Sequence, residues 1–168
     1  TNNDQINATC ECVGTPCTGP DCDDLGAKYQ KYEVCATTPN LTTREDVAWT
    51  SCNSTTANPN PARAGYTNWI RYDFAHRYMF QTSRIWNYNA TGETDKGFRN
   101  VVIDYSVDGI TWQQLGGTYT WPQAPGTADY SGFVGPNFNN IKAKYILVTA
   151  LSNWNDPSCA GFGKITFD

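Results

Sequence analysis

The chain has 168 residues, of which 17% are charged and 14% aromatic, and its formal net charge is −4 at pH 7. This length favours one domain, and an acidic balance without a basic stripe argues against nucleic acid as a partner. No apolar run approaches the ~20 residues that cross a bilayer, so the sequence predicts no membrane insertion. Low charge with many Trp, Tyr, Thr, Asn and Gly is typical of an extracellular β-protein.

Residues 1–35 form an N-terminal arm that differs from the rest of the chain. Gly and Pro punctuate it, almost nothing in it is apolar, and four cysteines are crowded into residues 9–22. Such a segment cannot build a hydrophobic core, so we expect irregular loops stapled by disulfides. The chain begins at Thr1 rather than at Met, which is typical of a mature secreted product whose leader has been removed. The predicted domains are therefore the arm, residues 1–35, and a β-domain, residues 36–168.

Seven cysteines indicate disulfides in an oxidising compartment. Zinc is the alternative, but Cys10-Glu11-Cys12 has the wrong spacing for a zinc knuckle and His76 is the only histidine. The odd count leaves one thiol free, or bonded to another chain or an outside group. The disulfide candidates are Cys10, Cys12, Cys17, Cys22, Cys35, Cys52 and Cys159.

Four Asn-x-Ser/Thr sequons are present, at Asn7, Asn40, Asn53 and Asn89. In a chain this rich in Asn and Thr some sequons arise by chance, so they are weak indications of glycosylation. If the chain is secreted by a cell that has the machinery, all four are expected at the surface.

Local patterns predict the elements after the arm. Residues 28–35 suit a short strand, residues 42–48 suit one helical turn capped by Thr42 or Thr43, and residues 53–68 are rich in Asn, Thr and Pro and should be loop. Strands are predicted over 69–74, 82–89, 99–106, 110–116, 143–151 and 163–167, with one or two more within 45–52 and 117–134. The predicted core is Trp69, Phe74, Ile85, Val101, Ile103, Tyr105, Trp112, Tyr145, Leu147, Ile165 and Phe167.

Residues 97–112 read as a β-hairpin. Val101, Ile103 and Tyr105 fall on one face of a period-two pattern. Asp108-Gly109 predicts a tight two-residue turn, because Gly supplies the positive φ that such a turn needs. The returning strand is expected to start at Ile110.

Five motifs, taken in order, resemble a known family. They are Trp69-Ile70-Arg71-Tyr72-Asp73-Phe74, Ser83-Arg84-Ile85-Trp86-Asn87-Tyr88, the hairpin of residues 97–112, Ala143-Lys144-Tyr145-Ile146-Leu147-Val148-Thr149 and Phe162-Gly163-Lys164-Ile165-Thr166-Phe167. This series is similar to the discoidin family, the C-type domain of coagulation factors and of many bacterial carbohydrate-binding modules. The match covers about residues 47–168. It implies an all-β, eight-stranded jelly-roll sandwich whose loops at one end bind ligand.

The resemblance also implies two covalent or ionic features. The family often joins its termini by a disulfide, which here implies Cys52 with Cys159. The family often holds a structural Ca²⁺ with an early Asp-Gly-Asn turn and a Glu near the final strand. In this sequence residues 62–68 differ from that turn and Lys164 stands at the Glu position, where an ammonium cannot ligate a hard cation. Structural calcium is therefore in doubt, no other cofactor is expected, and the acid run of Asp21, Asp23 and Asp24 is more typical of a solvated surface.

Enzyme chemistry finds little support in the sequence. His76 lies where the family has a turn, no Gly-x-Ser-x-Gly elbow occurs, and the cysteines lack a histidine partner. Carboxylate pairs such as Glu93/Asp95 and Asp104/Asp108 lie in or beside predicted turns, where acids are common. We expect a non-enzymatic protein.

Glycan binding is indicated by aromatic residues flanked by amides. Sugar sites use aromatic faces for the apolar side of the ring, and Asn, Asp, Arg or Tyr for the hydroxyls. Any single Trp could instead pack a loop or fill one sandwich face. The candidates are Trp86, Asn87, Tyr88, Arg99, Trp121, Asn153, Trp154 and Asn155.

Assembly is the other function that the sequence suggests. A sandwich offers edges on which an extended arm can dock, and head-to-tail docking makes a filament unless it closes into a ring. The sequence-based hypothesis is a secreted, self-assembling surface or filament subunit, with copies of itself as partners and the arm as connector. The alternative is a carbohydrate-binding module whose partners are glycans.

Overall fold

The computed structural model describes residues 5–6, 12–13 and 48–168. In the arm it gives a single antiparallel pair, β1 (Gln5–Ile6) with β2 (Cys12–Val13), in which Gln5 lies opposite Val13. The strand predicted at 28–35 and the helical turn predicted over 42–48, apart from residue 48, lie outside the described residues. So do Cys10, Cys17, Cys22 and Cys35, and the side chain of Cys12.

Two antiparallel sheets make up the described part of the main domain. Nine strands follow in chain order: β3 (Trp49–Cys52), β4 (Trp69–Phe80), β5 (Ser83–Asn87), β6 (Phe98–Ser106), β7 (Gln113–Gln114), β8 (Tyr119–Thr120), β9 (Phe133–Val134), β10 (Ile141–Asn153) and β11 (Cys159–Phe167). One sheet has the order β3-β11-β5-β9, and the other has the order β4-β10-β6-β7 with β8 also paired to β6. Short 3-10 helices cover Pro61–Arg63 and Thr94–Lys96. The predicted all-β sandwich is confirmed, and no helix in the described ranges is long and apolar enough to cross a membrane.

The core lies between the two sheets and is dominated by aromatic rings. Phe98 packs against Trp49, Trp121 and Phe162, with ring centroids 5.3 to 5.9 Å apart. Each phenyl or indole ring removes a large apolar area from water, which is the main stabilising contribution in a sandwich of this size. Six of the predicted core residues are buried: Ile85, Val101, Ile103, Leu147, Ile165 and Phe167.

Strand β10 has the opposite face in the core from the one predicted. Ile146 and Val148 belong to the central cluster, whereas Tyr145 and Leu147 point to the other side of the sheet. The period-two pattern was ambiguous here because both faces of β10 are apolar. Leu147 is nevertheless fully buried, so the outer side of this sheet is covered as well.

The cover is the loop of residues 53–68, which lies over the outer face of the five-stranded sheet. Asn58 Nδ2 donates to Thr149 Oγ1 on β10 at 3.0 Å. Arg63 Nε and Nη2 donate to the two carboxylate oxygens of Asp104 on β6, at 3.0 and 2.8 Å. A bidentate pair of this kind fixes orientation as well as distance. Residues 101–104 of β6 are consequently buried on both faces, including Asp104, which is 1% exposed.

The hairpin after β6 is wider than predicted. Six residues, 107–112, separate Ser106 from Gln113, and Ile110 is 80% exposed rather than part of a strand. The carboxylate of Asp108 accepts the backbone N–H groups of Ile110 and Thr111 at 2.8 and 2.7 Å, which closes a side-chain turn. These hydrogen bonds hold the pKa of Asp108 far below its usual range. The prediction of a two-residue turn with a strand from Ile110 was wrong because this side chain replaces the backbone pairing.

Strand β4 is longer than predicted. It continues through His76 to Phe80, so the turn expected around His76 does not form. Its pairing with β10 shifts register between Ala143 and Tyr145, which accommodates the irregularity without ending the strand.

A disulfide joins Cys52 and Cys159. The two residues face each other at the ends of β3 and β11, where the strand register places Cys159 opposite Cys52. The pairing implied by the family resemblance is confirmed.

Candidate functional site

Trp154 lies in the loop of residues 154–158, which links β10 of one sheet to β11 of the other. The backbone N–H groups of Trp154, Asn155 and Asp156 all donate to the carbonyl oxygen of Asp95, at 3.1, 3.1 and 3.3 Å. Trp154 N–H is shared with the carbonyl oxygen of Gly97 at 3.0 Å. Three consecutive donors on one acceptor clamp this loop to the segment before β6.

Arg99 is stacked on Trp154. It is an exposed residue near the start of β6, and its guanidinium carbon lies 4.8 Å from the centroid of the indole ring. This distance is within the range of a cation–π contact. The described residues provide no carboxylate partner for Arg99, and none provides an acceptor for the buried Nε1 of Trp154.

Asn155 follows Trp154 and is exposed, with a φ of +149°. Residues with a Cβ rarely adopt this region, and such strain persists only where the surrounding contacts enforce it. Here the clamp on Asp95 is that enforcement. Asn155 is exposed and directly follows Trp154 in the clamped loop, and we call Arg99, Trp154 and Asn155 the loop site.

The other polar residues of this loop maintain its shape. Asn153 Nδ2 donates to the carbonyl oxygens of Asp156 and Cys159, both at 2.7 Å. The carboxylate of Asp156 accepts the N–H groups of Ser158 and Cys159, which lowers the pKa of Asp156. Asn153 was predicted to contact ligand, but its amide nitrogen is already committed to the loop.

Three further predicted ligand residues are buried, and these predictions are corrected. Asn87 is fully buried and donates to the carbonyl oxygens of Phe98 and Pro122, both at 2.8 Å. Tyr88 is fully buried, and Trp121 is 1% exposed among the core rings. Their side chains support the loops from inside the sandwich and offer no surface to a ligand from solvent.

The sequon at Asn89 is also internal. Asn89 is 3% exposed, its Nδ2 donates to the carbonyl oxygen of Thr127 at 2.8 Å, and its Oδ1 accepts the N–H of Gly126 at 2.7 Å. A glycan on this nitrogen would remove a buried hydrogen bond and find no space, so the expected surface position of Asn89 is wrong. Asn53 is exposed, whereas Asn7 and Asn40 lie outside the described residues.

Trp86 lies on a different surface from the loop site. It points outward from β5 in the four-stranded sheet, half-buried, with Lys164 Nζ at 5.0 Å and the Arg84 guanidinium carbon at 5.5 Å from its ring. Sequence reasoning grouped Trp86 with Trp154, because both precede Asn-containing loops. The structure separates them, because Trp86 lies in strand β5 and Trp154 lies in the loop after β10.

The carboxylate pairs considered for catalysis have other partners. Asp104 forms the ion pair with Arg63, and Glu93 lies 2.6 Å from Lys96 Nζ. Of the positions considered for calcium, Lys164 lies against an aromatic ring, and Asp21, Asp23 and Asp24 lie outside the described residues. Within residues 48–168 and the two short strands of the arm, no cluster of three or more His, Cys, Asp or Glu side chains could hold a metal ion.

Comparison with known proteins identifies the family. The model of the F5/8 type C domain matches residues 29–162, whereas no curated protein sequence matches the chain. Module CBM32-3 of a family 31 glycoside hydrolase from Clostridium perfringens aligns with 84% of this chain and 85% of its own, at 19% identity and a TM-score of 0.51.

Two further solved structures align with smaller parts of the chain. A GH31 module, CBM32-2, solved with bound GalNAc aligns with 77% of this chain and 82% of its own, at 11% identity and a TM-score of 0.52. A chitobiase C-terminal domain from Bacteroides fragilis aligns with 60% of this chain at 14% identity and a TM-score of 0.46, and the chain spans only 61% of that domain. The match to the family model extends over most of the chain and includes the whole sandwich up to Phe162. The chain therefore belongs to the F5/8 type C domain family.

Proposed function

We propose that this protein is a non-enzymatic glycan-binding module that binds a sugar at the loop site, Arg99, Trp154 and Asn155. The observation that carries the proposal is the contact of an exposed arginine with a half-buried tryptophan, which a strained and exposed asparagine follows in the sequence. The family match supports it, as do neighbours named as CBM32 modules, one of them solved with GalNAc.

The three side chains supply the chemistry that a pyranose needs. The indole offers an apolar surface for the C–H groups of the sugar. The guanidinium is planar and weakly hydrated, so it can stack on the indole while its N–H groups remain free to donate to hydroxyls at the rim. The amide of Asn155 adds one acceptor and two donors. A few directed polar groups around an aromatic surface are typical of a selective ligand site.

The disulfide of the sandwich supports a secreted protein. The Cys52–Cys159 disulfide is exposed at Cys52, and disulfides of this kind persist in oxidising compartments. A secreted module would meet its glycans outside the cell.

We favour glycan binding over self-assembly as the function of this chain. The filament hypothesis depends on the arm, of which only β1 and β2 are described. No contact of the described residues favours it, whereas the loop site has a defined chemistry. Assembly through the arm stays a prediction.

The test is calorimetric titration of GalNAc and a panel of neutral oligosaccharides into the wild-type chain and three variants. Trp154→Ala should weaken binding at least tenfold, because the apolar surface is lost. Tyr66→Ala, which removes another exposed aromatic residue from a different loop, should change affinity less than twofold. Arg99→Gln should also weaken binding while leaving the melting temperature near that of the wild type. Equal affinities for Trp154→Ala and Tyr66→Ala, or no glycan bound by the wild type, would contradict the proposal.

A further inference from the structure

The outward face of the four-stranded sheet carries a second aromatic and cationic group. Strand β5 turns Ile85 into the core and Arg84 and Trp86 outward, and β11 turns Ile165 into the core and Lys164 outward. The register places Lys164 directly opposite Trp86. The three outward residues Arg84, Trp86 and Lys164 are therefore neighbours on one surface, which we call the sheet site.

Both cations of the sheet site lie against the same indole. Lys164 Nζ is 5.0 Å and the Arg84 guanidinium carbon 5.5 Å from the Trp86 ring centroid. Two cationic side chains thus lie against one aromatic ring in a chain whose net charge is −4. No carboxylate of the described residues forms an ion pair with Arg84.

A neighbouring loop holds two of these side chains in place. Arg84 Nε donates to the carbonyl oxygen of Ser131 at 3.0 Å, which leaves the two terminal nitrogens of the guanidinium for other acceptors. The next residue, Gly132, packs on Trp86 so closely that a Cβ would lie 2.9 Å from the indole. It also has a φ of +73°, so both the close approach and the backbone require glycine here. The arginine and the tryptophan are thus oriented before any ligand arrives.

We propose that the sheet site is a second binding site, for the carboxylate-bearing sugar of an acidic polysaccharide. A uronic acid combines an apolar ring face, which suits an indole, with a carboxylate at the ring edge, which suits an arginine and a lysine. The terminal nitrogens of Arg84 can meet the two carboxylate oxygens in parallel, and Lys164 adds a point charge. These three side chains are half-buried, and Val134, which lies opposite Arg84 on the edge strand β9, is 76% exposed. A polysaccharide chain would therefore reach the sheet site from this edge.

This proposal does not depend on ligand binding at the loop site. The two sites share no residue, and no described contact joins Trp86 to Trp154. They also differ in the type of ligand that we expect. The sheet site has two cationic side chains for a carboxylate, whereas the loop site combines one arginine with an amide for sugar hydroxyls. Salt should therefore weaken binding at the sheet site, since exposed charge pairs are screened.

The test is calorimetric titration with a hexauronate oligosaccharide at low and at physiological salt, with a neutral hexasaccharide and a sulfated one as further probes. Arg84→Gln with Lys164→Gln should weaken uronate binding at least tenfold, and Trp86→Ala should weaken it at both salt concentrations. The matched control is Arg71→Gln with Lys144→Gln, which removes the same two charges from another ring, Tyr145. This control should change affinity less than twofold, and Trp154→Ala should leave uronate binding intact.

Three outcomes would overturn the proposal. The first is no uronate binding by the wild type at low salt. The second is equal weakening by the two double variants, which would indicate attraction by overall charge. The third is binding of the sulfated probe without the uronate, which would remove the carboxylate assignment. Melting curves of each variant separate these outcomes from a loss of folding, and the substitutions to Gln keep most of the side-chain length.

Discussion

Asn155 adopts a strained backbone conformation that lowers stability and exposes a side-chain amide. Its φ of +149° is unfavourable for any residue with a Cβ. Such backbone strain typically lowers the free energy of unfolding by about 1–3 kcal/mol. Glycine would relieve that strain, although it also loses more conformational entropy on folding. The presence of Asn rather than Gly at a strained position is consistent with a use for the amide.

We therefore expect Asn155→Gly to separate stability from binding. The melting temperature should stay the same or rise, because relief of strain offsets the entropic cost of about 0.5–1 kcal/mol. Affinity for the glycan that binds at the loop site should fall, since one hydrogen-bonding side chain is lost. Thermal melting and calorimetric titration measure the two effects. A variant that melts well below the wild type and binds glycan as tightly would show that the amide serves folding instead.

The loop site was only partly predictable at this scale. Trp154 and Asn155 were visible in the sequence, because an aromatic residue flanked by amides is a recognisable pattern. Asp95 was not, because it contributes its backbone carbonyl oxygen, which every residue has. Asn87 has the same amide as Asn155, yet its side chain is buried, because Asn87 lies on the inward face of strand β5 whereas Asn155 lies in a loop.

At the scale of elements, the covering loop of residues 53–68 is the feature that sequence patterns missed. Its Asn, Thr and Pro content predicted a loop correctly, but nothing local indicated that it would bury the outer face of β6. In the period-two pattern Asp104 falls on the strand face opposite Ile103 and Tyr105. It is buried because Arg63, 41 positions earlier, neutralises it. Long-range pairs of this kind are invisible to a local period-two pattern.

Removal of the Arg63 side chain should test the strength of this cover. Arg63→Ala leaves the buried carboxylate of Asp104 without its cation, and breaking a buried pair in this way costs about 3 kcal/mol or more. Addition of Asp104→Asn to that variant should recover part of the loss, because the unpaired charge is gone. Chemical denaturation gives the free energies of unfolding.

The matched control for this prediction is Arg71→Ala. Arg71 is an exposed arginine on the same sheet that lies over the Tyr145 ring, a contact worth about 0.5–1 kcal/mol. The interpretation of the loop as a cover held by one ion pair fails if Arg63→Ala costs no more than Arg71→Ala.

At the scale of the whole molecule, the bond between Cys52 and Cys159 joins the first and last strands of the sandwich. The two residues are 107 positions apart, and in the chain-entropy model a closed loop of this size contributes about 4–5 kcal/mol, although measured contributions are typically nearer 2–4. The family resemblance predicted this pair, but composition alone left all seven cysteines open. The bond also lies beside the loop site, since the N–H and carbonyl groups of Cys159 hold Asp156 and Asn153.

The double variant Cys52→Ser, Cys159→Ser should accordingly unfold at lower denaturant. We expect a loss of about 2–4 kcal/mol in the free energy of unfolding. The slope of that free energy against denaturant should also steepen, because the unfolded chain is no longer closed and exposes more surface. Denaturation without reductant measures both quantities. An unchanged midpoint would mean that the bond adds nothing to the pairing of β3 with β11.

The Cys52–Cys159 bond also determines which fragments a protease can release. Everything from Cys52 to Cys159 lies within a covalent ring, which includes the seven strands β4 to β10 in whole and one end each of β3 and β11. β11 completes the four-stranded sheet and begins at Cys159. A single cut at an exposed point of the ring, such as the tip at Ile110, would therefore release no fragment. The two pieces would stay joined through sulfur and through both sheets, and the break would become visible only after reduction.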